Sequence, residues 1–311
     1  MQILFTIHSL KQAPMKKANK AIMYAGLSVL SWSTVATAFK LALQLQTHFE
    51  MLLIASCTAL LILTTVMTFQ SKWNRLPLLS RKQWLLYALI GLLNPAIYYL
   101  VLFKAYAMLP AQIAQPINYS WPILLLILIA VIGHHPIPPK KYIGMALSLG
   151  GVTIISAGSG QVQQSAVPVG GLLLALLSAL LWAIFWIVNK LNQSVDNTVN
   201  LFVIFLFGSV YLLIASFFIP VNFTSVNGLL ACIYIGAFEM AIPFIFFSLA
   251  LKNTTNPVLI NQLCYLAPFT SLFIIHLVLK EHIYTTTFIG LILIIVGIIF
   301  NEYCTGSKTT K

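Results

Sequence analysis

The sequence predicts an all-α integral membrane protein of ten transmembrane helices, arranged as two inverted five-helix repeats. Three observations carry this. Apolar runs of about twenty residues recur along nearly the whole chain, basic residues fall almost entirely in alternate loops, and the first half returns in the second at a nearly constant offset. Of 311 residues 60% are apolar and only 7% charged, against about 25% charged in a soluble globular chain. Too few charges exist to cover a water-facing surface. A mean hydropathy of +0.95 instead fits lipid as solvent, because about twenty apolar residues span a bilayer core.

The spans are expected at 21–43, 50–69, 83–105, 112–132, 141–158, 170–191, 199–219, 227–250, 258–279 and 286–303. They must be helices. Lipid offers the backbone no hydrogen-bond partner, and the alternating ten-residue pattern of a membrane barrel is missing. Residues 1–20 read as a basic cytoplasmic tail without a small-residue cleavage site, and Met15 opens a second plausible start. Residues 21–158 form the first repeat, 159–169 an uncharged linker, 170–303 the second repeat and 304–311 a cytoplasmic tail.

Orientation follows from the lysines and arginines. The N-terminal side collects Lys11, Lys16, Lys17, Lys20, Lys72, Arg75, Arg81, Lys82, Lys140, Lys141, Lys190, Lys252, Lys308 and Lys311, while the other side holds Lys40, Lys104 and Lys280. Fourteen plus three accounts for all seventeen basic residues. Both termini are expected in the cytoplasm, with the chain in a bacterial inner membrane. The formal charge of +12 is therefore a topology signal and not a nucleic-acid surface. Cys57, Cys232, Cys264 and Cys304 have no metal-type spacing, so neither a metal nor a cofactor is expected.

The repeat is read directly. An offset of 150 places Trp32 on Trp182 and Lys40 on Lys190; an offset of 146 places Tyr119 on Tyr265, Pro122 on Pro268, Gly144 on Gly290 and Gly151 on Gly297. Five helices per copy is an odd number. The second copy then enters the membrane from the opposite face, which inverts the halves about an axis in the membrane plane.

Span four carries Tyr119-Ser-Trp-Pro122 and span nine Tyr265-Leu-Ala-Pro268. Proline inside a helix removes a backbone hydrogen bond, and membrane helices break in this way beside cavities. Amides precede each motif: Gln112, Gln115 and Asn118 in the first, Asn261 and Gln262 in the second. They either bond neighbouring helices or supply the few polar groups of an apolar pocket. Trp32, Trp121, Trp182, Trp186, Tyr98, Tyr99 and Phe244 lie deep in spans, away from the interface where Trp and Tyr usually sit; they serve as core or as cavity wall. The seven-residue glycine pairs Gly144/Gly151 and Gly290/Gly297 mark close packing of spans five and ten, within one chain or between subunits of a homodimer.

Of the five acids, Glu50, Asp196, Glu239, Glu281 and Glu302, only Glu239 lies deep in a span, in IGAFEMAIPF. A charge there costs about 2.5–3.5 kcal/mol and usually marks a substrate or proton path. The competing reading is a neutral glutamate hydrogen-bonded to a neighbouring helix. His134 with His135, and Glu281 with His282, sit at loop edges, and no hydrolase, zinc or phosphate-loop motif is present.

These residues resemble the EamA family of the drug/metabolite transporter superfamily over about residues 20–303. The resemblance rests on Trp32 with Lys40, on the two Y-x-x-P segments, and on APFTSLFIIHLVLKEHIYTTTFIGLILIIVG, in which Glu281 matches the glutamate that ends the family's ninth span. The first repeat departs from the pattern, with His135 where that acid often stands. The resemblance implies a metabolite carrier with a central cavity, often an exporter of amino acids. Trp32, Asn94, Tyr98, Asn118, Tyr119, Trp182, Glu239, Asn261 and Tyr265 are the expected substrate-binding residues, and Glu239 the expected proton-coupling group. Two other functions stay open: uptake of a nucleotide-like or cofactor-like solute, and an enzyme acting on lipid head groups.

Overall fold

The computed structural model describes residues 2–132, 138–162, 168–189, 195–223, 225–254, 260 and 263–303. All regular structure among them is helical. Seven helices are long and apolar enough to cross a membrane: α1 (Gln2–Leu43, apolar from Lys17), α2 (His48–Phe69), α3 (Arg81–Met108), α4 (Ala111–Ile132), α6 (Val169–Asn189), α7 (Asn197–Ala215) and α8 (Val226–Asn253). Three further apolar helices have shorter apolar stretches: α5 (Lys141–Val162, apolar over Lys141–Ile155), α9 (Leu266–Leu279) and α10 (Thr285–Tyr303, apolar over Thr285–Asn301). Helix α5 runs to Val162, past the expected end at residue 158, because glycine costs a helix only about 1 kcal/mol and does not forbid it.

Local chemistry sets several helix starts. Thr47 and Glu50 form a reciprocal capping box on α2, and Ser80 with Gln83 does the same on α3. The second oxygen of Glu50 accepts from the Asn222 amide at 2.6 Å, tying two loops together. The outer faces stay apolar, with Leu61 at 68% and Phe217 at 86% exposed. Such a surface is a liability in water and ordinary in lipid.

The glycine stripes meet within one chain. A Cβ on Gly144 would lie 2.5 Å from the Gly297 carbonyl oxygen, and one on Gly151 would lie 2.4 Å from that of Gly290. The pairing 144–297 and 151–290 makes α5 and α10 antiparallel. Ser148 donates to the Ile294 carbonyl at 3.0 Å between the two glycine contacts. Of the two expected placements, the intrachain one holds.

Helices α2 and α7 also cross antiparallel. They share the Ser56–Ser209 hydroxyl bond of 2.9 Å at their middle and the Lys72–Asp196 ion pair of 2.7 Å at their end. Asp196 also caps α7, accepting from the Thr198 amide at 2.9 Å. Partial burial raises its pKa, but the Lys72 ammonium and the cap hydrogen bond outweigh it and hold the carboxyl below its ordinary value. A depressed native pKa gives stability that is complete at neutral pH and lost as pH falls through the native value. Asp196→Ala is expected to lower the melting temperature at pH 7 by the equivalent of about 1–2 kcal/mol, with the difference from wild type shrinking below about pH 4. A difference that persists in acid would assign the effect to packing.

Candidate functional site

Both Y-x-x-P motifs interrupt their helices at the tyrosine. In α4 the helical stretch Ala111–Asn118 ends in a turn at Tyr119 and Ser120 before Trp121–Ile132 resumes; Cys264 and Tyr265 form the corresponding turn before Leu266. Pro122 has no N–H for the Asn118 carbonyl, and Pro268 has none for the carbonyl of Cys264. The interruptions border a cavity of about 740 Å³ between the two halves.

Glu239 reaches this cavity from a widened, π-helical turn of α8, Gly236–Ala241. Two sequence features produce the turn. Pro243 cannot donate to the Glu239 carbonyl, and Gly236 lets α8 approach α2 so closely that a Cβ there would lie 2.4 Å from the Ala55 carbonyl oxygen. The Tyr99 hydroxyl donates to Glu239 Oε1 at 3.1 Å. Next to it, the Tyr98 ring lies 4.7 Å from Trp182, and the Tyr98 hydroxyl donates to Asn118 Oδ1 at 3.5 Å. Asn118 Nδ2 in turn donates to Ser178 at 2.9 Å. Phe244 bridges the halves, 5.7 Å from Trp32 and 6.0 Å from Trp182.

Seven of the nine expected residues therefore come together: Trp32, Tyr98, Asn118, Tyr119, Trp182, Glu239 and Tyr265 line the cavity. Asn94 does not. It is 3% exposed and sits in the widened turn Leu92–Ile97 of α3 with extended backbone angles, off the cavity wall. The break before Tyr98 keeps it away from the wall. Asn261 lies outside the described residues, as do Gln262, His134, His135 and Lys190. Among the amides, Gln112 is structural: Nε2 donates to the His282 carbonyl at 2.7 Å and Oε1 accepts from the Tyr284 amide at 3.2 Å. Glu281 is structural too, accepting from the Ala111 and Gln112 amides at 3.3 and 3.5 Å. It thus supplies acceptors to the otherwise unsatisfied amides at the buried N-terminus of α4. Lys40 closes the end of α3, donating to the Tyr106 and Leu109 carbonyls at 3.1 Å each.

Among the wall residues that the sequence reading missed are Lys141 and Asn301. The signal was present: Lys141, Gly144, Ser148 and Gly151 recur at helical spacing, so Lys141 belongs to the buried stripe of α5 that faces α10.

A polytopic helical membrane protein with a mostly apolar cavity, holding a few polar groups, between two similar halves has the form of a carrier. The EamA-like transporter family model matches residues 19–157 and again 169–303, and the chain belongs to that family. A solved structure titled only "Crystal structure of protein" superposes with a TM-score of 0.66 at 18% identity, covering 94% of this chain and 98% of the other; at that identity it supports the fold alone. No curated protein gives a significant match.

Proposed function

We propose that the chain is a secondary transporter that moves a small metabolite, an amino acid or a related amphipathic solute, across the bacterial inner membrane by alternating access, working as an exporter. The observation that carries this reading is the shared cavity, in which aromatic walls from both halves surround one acid held by a tyrosine hydroxyl. A mostly apolar pocket with few convergent polar groups is the usual form of a small-molecule site.

The inverted ten-span arrangement belongs to the same proposal, and exchange of the halves supports it. Exchanging residues by the repeat offset turns the Gly144–Gly297 contact into Gly290–Gly151, which is also present. Gly91 of α3 meets the backbone of α7, just as Gly236 of α8 meets that of α2. Since α5 and α10 exchange while antiparallel, a two-fold axis relating them runs perpendicular to both, as inverted repeats require. Under this reading Lys72 and Asp196 share the cytoplasmic side.

The test uses one reconstituted preparation. Cysteines at positions 163 and 225 are expected to react with an impermeant thiol reagent from the periplasmic side, and cysteines at 74 and 255 only from the cytoplasmic side. The same proteoliposomes, loaded with labelled metabolites from either side, are expected to move at least one amino acid or amphipathic acid. Labelling of all four positions from one side overturns the inversion; no flux in either direction for any solute overturns the carrier.

A further inference from the structure

Lys141 stands at the first position of α5, only 9% exposed, on the wall of the cavity that also holds Glu239. Among the described residues no carboxylate, carbonyl or hydroxyl takes a hydrogen bond from its ammonium. A lysine that serves only topology stays in water at the loop, whereas this one is drawn onto the cavity wall. Trp186 of α6 lines the same cavity with its indole N–H unpartnered, its ring stacked on Trp121 at 6.1 Å. Both groups are donors with no acceptor capacity, and one of them is a cation. Their complement is an acceptor bearing negative charge.

We propose that Lys141 and Trp186 form an anion subsite of the central cavity, which takes the carboxylate or phosphate of a soluble solute whose apolar body rests on Trp32, Trp182 and Phe244. Glu239 then serves the opposite, hydrogen-bond-donating or cationic end of the same solute. The assignment rests on the carrier reading only in treating the bound solute as the transported one. It narrows the substrate class: an anionic or zwitterionic amphipath is accepted, and an amine without an acidic group is rejected.

Binding to the full chain in phosphatidylcholine nanodiscs tests the subsite without any need for flux. Three probes separate the chemistry: L-phenylalanine, L-phenylalaninamide of the same shape without the carboxylate, and phenyl phosphate. Wild type is expected to bind phenylalanine or phenyl phosphate at least about tenfold more tightly than the amide, the usual yield of a charge-assisted hydrogen bond. Lys141→Met removes the preference and Lys141→Arg keeps it, with both variants folded in the same nanodiscs. An unaltered preference in Lys141→Met, equal affinities in wild type, or binding of none of the probes at millimolar concentration overturns the subsite. Loss of the preference in phosphatidylglycerol nanodiscs alone assigns the site to a lipid phosphate and also overturns it. If binding depends on Lys141 while proteoliposomes move nothing, the subsite stands and the carrier reading falls; flux indifferent to Lys141 gives the reverse.

Discussion

Glu239→Gln is expected to abolish accumulation driven by a pH gradient while leaving solute exchange at equal pH intact. A gradient of one pH unit is worth about 1.4 kcal/mol per proton, so a carrier exchanging one proton per solute reaches about tenfold accumulation. Glutamine keeps the size of the side chain and accepts the hydrogen bond from the Tyr99 hydroxyl, but it cannot give up or take a proton. The cavity position of Glu239 lets a proton and a solute group compete for it, as coupled exchange requires. Among the acids whose side chains are described it is the one left for this work, since Glu50, Asp196 and Glu281 accept from backbone amides at helix starts or loops. Proteoliposomes with imposed and collapsed gradients measure the outcome. Wild-type pH dependence in the Gln variant would remove Glu239 from the coupling path and leave it as a helix-to-helix hydrogen bond.

Two adjacent glycines are expected to respond to alanine in opposite ways. A Cβ on Gly150 has nothing within 4 Å, whereas one on Gly151 would lie 2.4 Å from the Gly290 carbonyl oxygen and 3.0 Å from the Ile294 nitrogen. Backbone cannot rotate aside as a long side chain can, so α5 and α10 would have to part along their length. Gly151→Ala is expected to destabilise by about 3 kcal/mol or more, the upper end of overpacking costs. Gly150→Ala is expected to be neutral, or stabilising by up to about 1 kcal/mol through helix propensity. Melting temperatures in detergent decide it. Equal effects at the two positions would mean that the close α5–α10 contact is not made in the membrane.

The cavity was partly legible beforehand, for reasons that differ by residue. Trp32, Trp182, Tyr119 and Tyr265 declared themselves by recurring at the repeat offset, and duplication preserves the surfaces that both halves present to each other. Glu239 declared itself by its cost, because an acid deep in an apolar run is expensive unless it faces a cavity. Asn94 was expected beside them, yet it sits in the helix break at Leu92–Ile97, off the wall. Gln112 stood open to either role and Glu281 stood at a loop edge; both serve as clamps on the start of α4. No pattern in one dimension separates an amide that bonds a distant loop from one that faces a ligand, since the partner lies some 170 residues away.

Composition and periodicity alone decide that this chain is helical and solvated by lipid, since a backbone that meets no water must satisfy itself and only apolar side chains can face hydrocarbon. They also decide that the two halves are copies. What waits for the tertiary structure is which side of each helix looks inward. Lys141 reads in sequence as one more basic residue at a loop, and becomes a cavity cation because its stripe of small residues draws α5 against α10 and carries it inside. Helix rotation is set by contacts between segments about 150 residues apart, and that information is in the packing, not in the order of the residues along any one span.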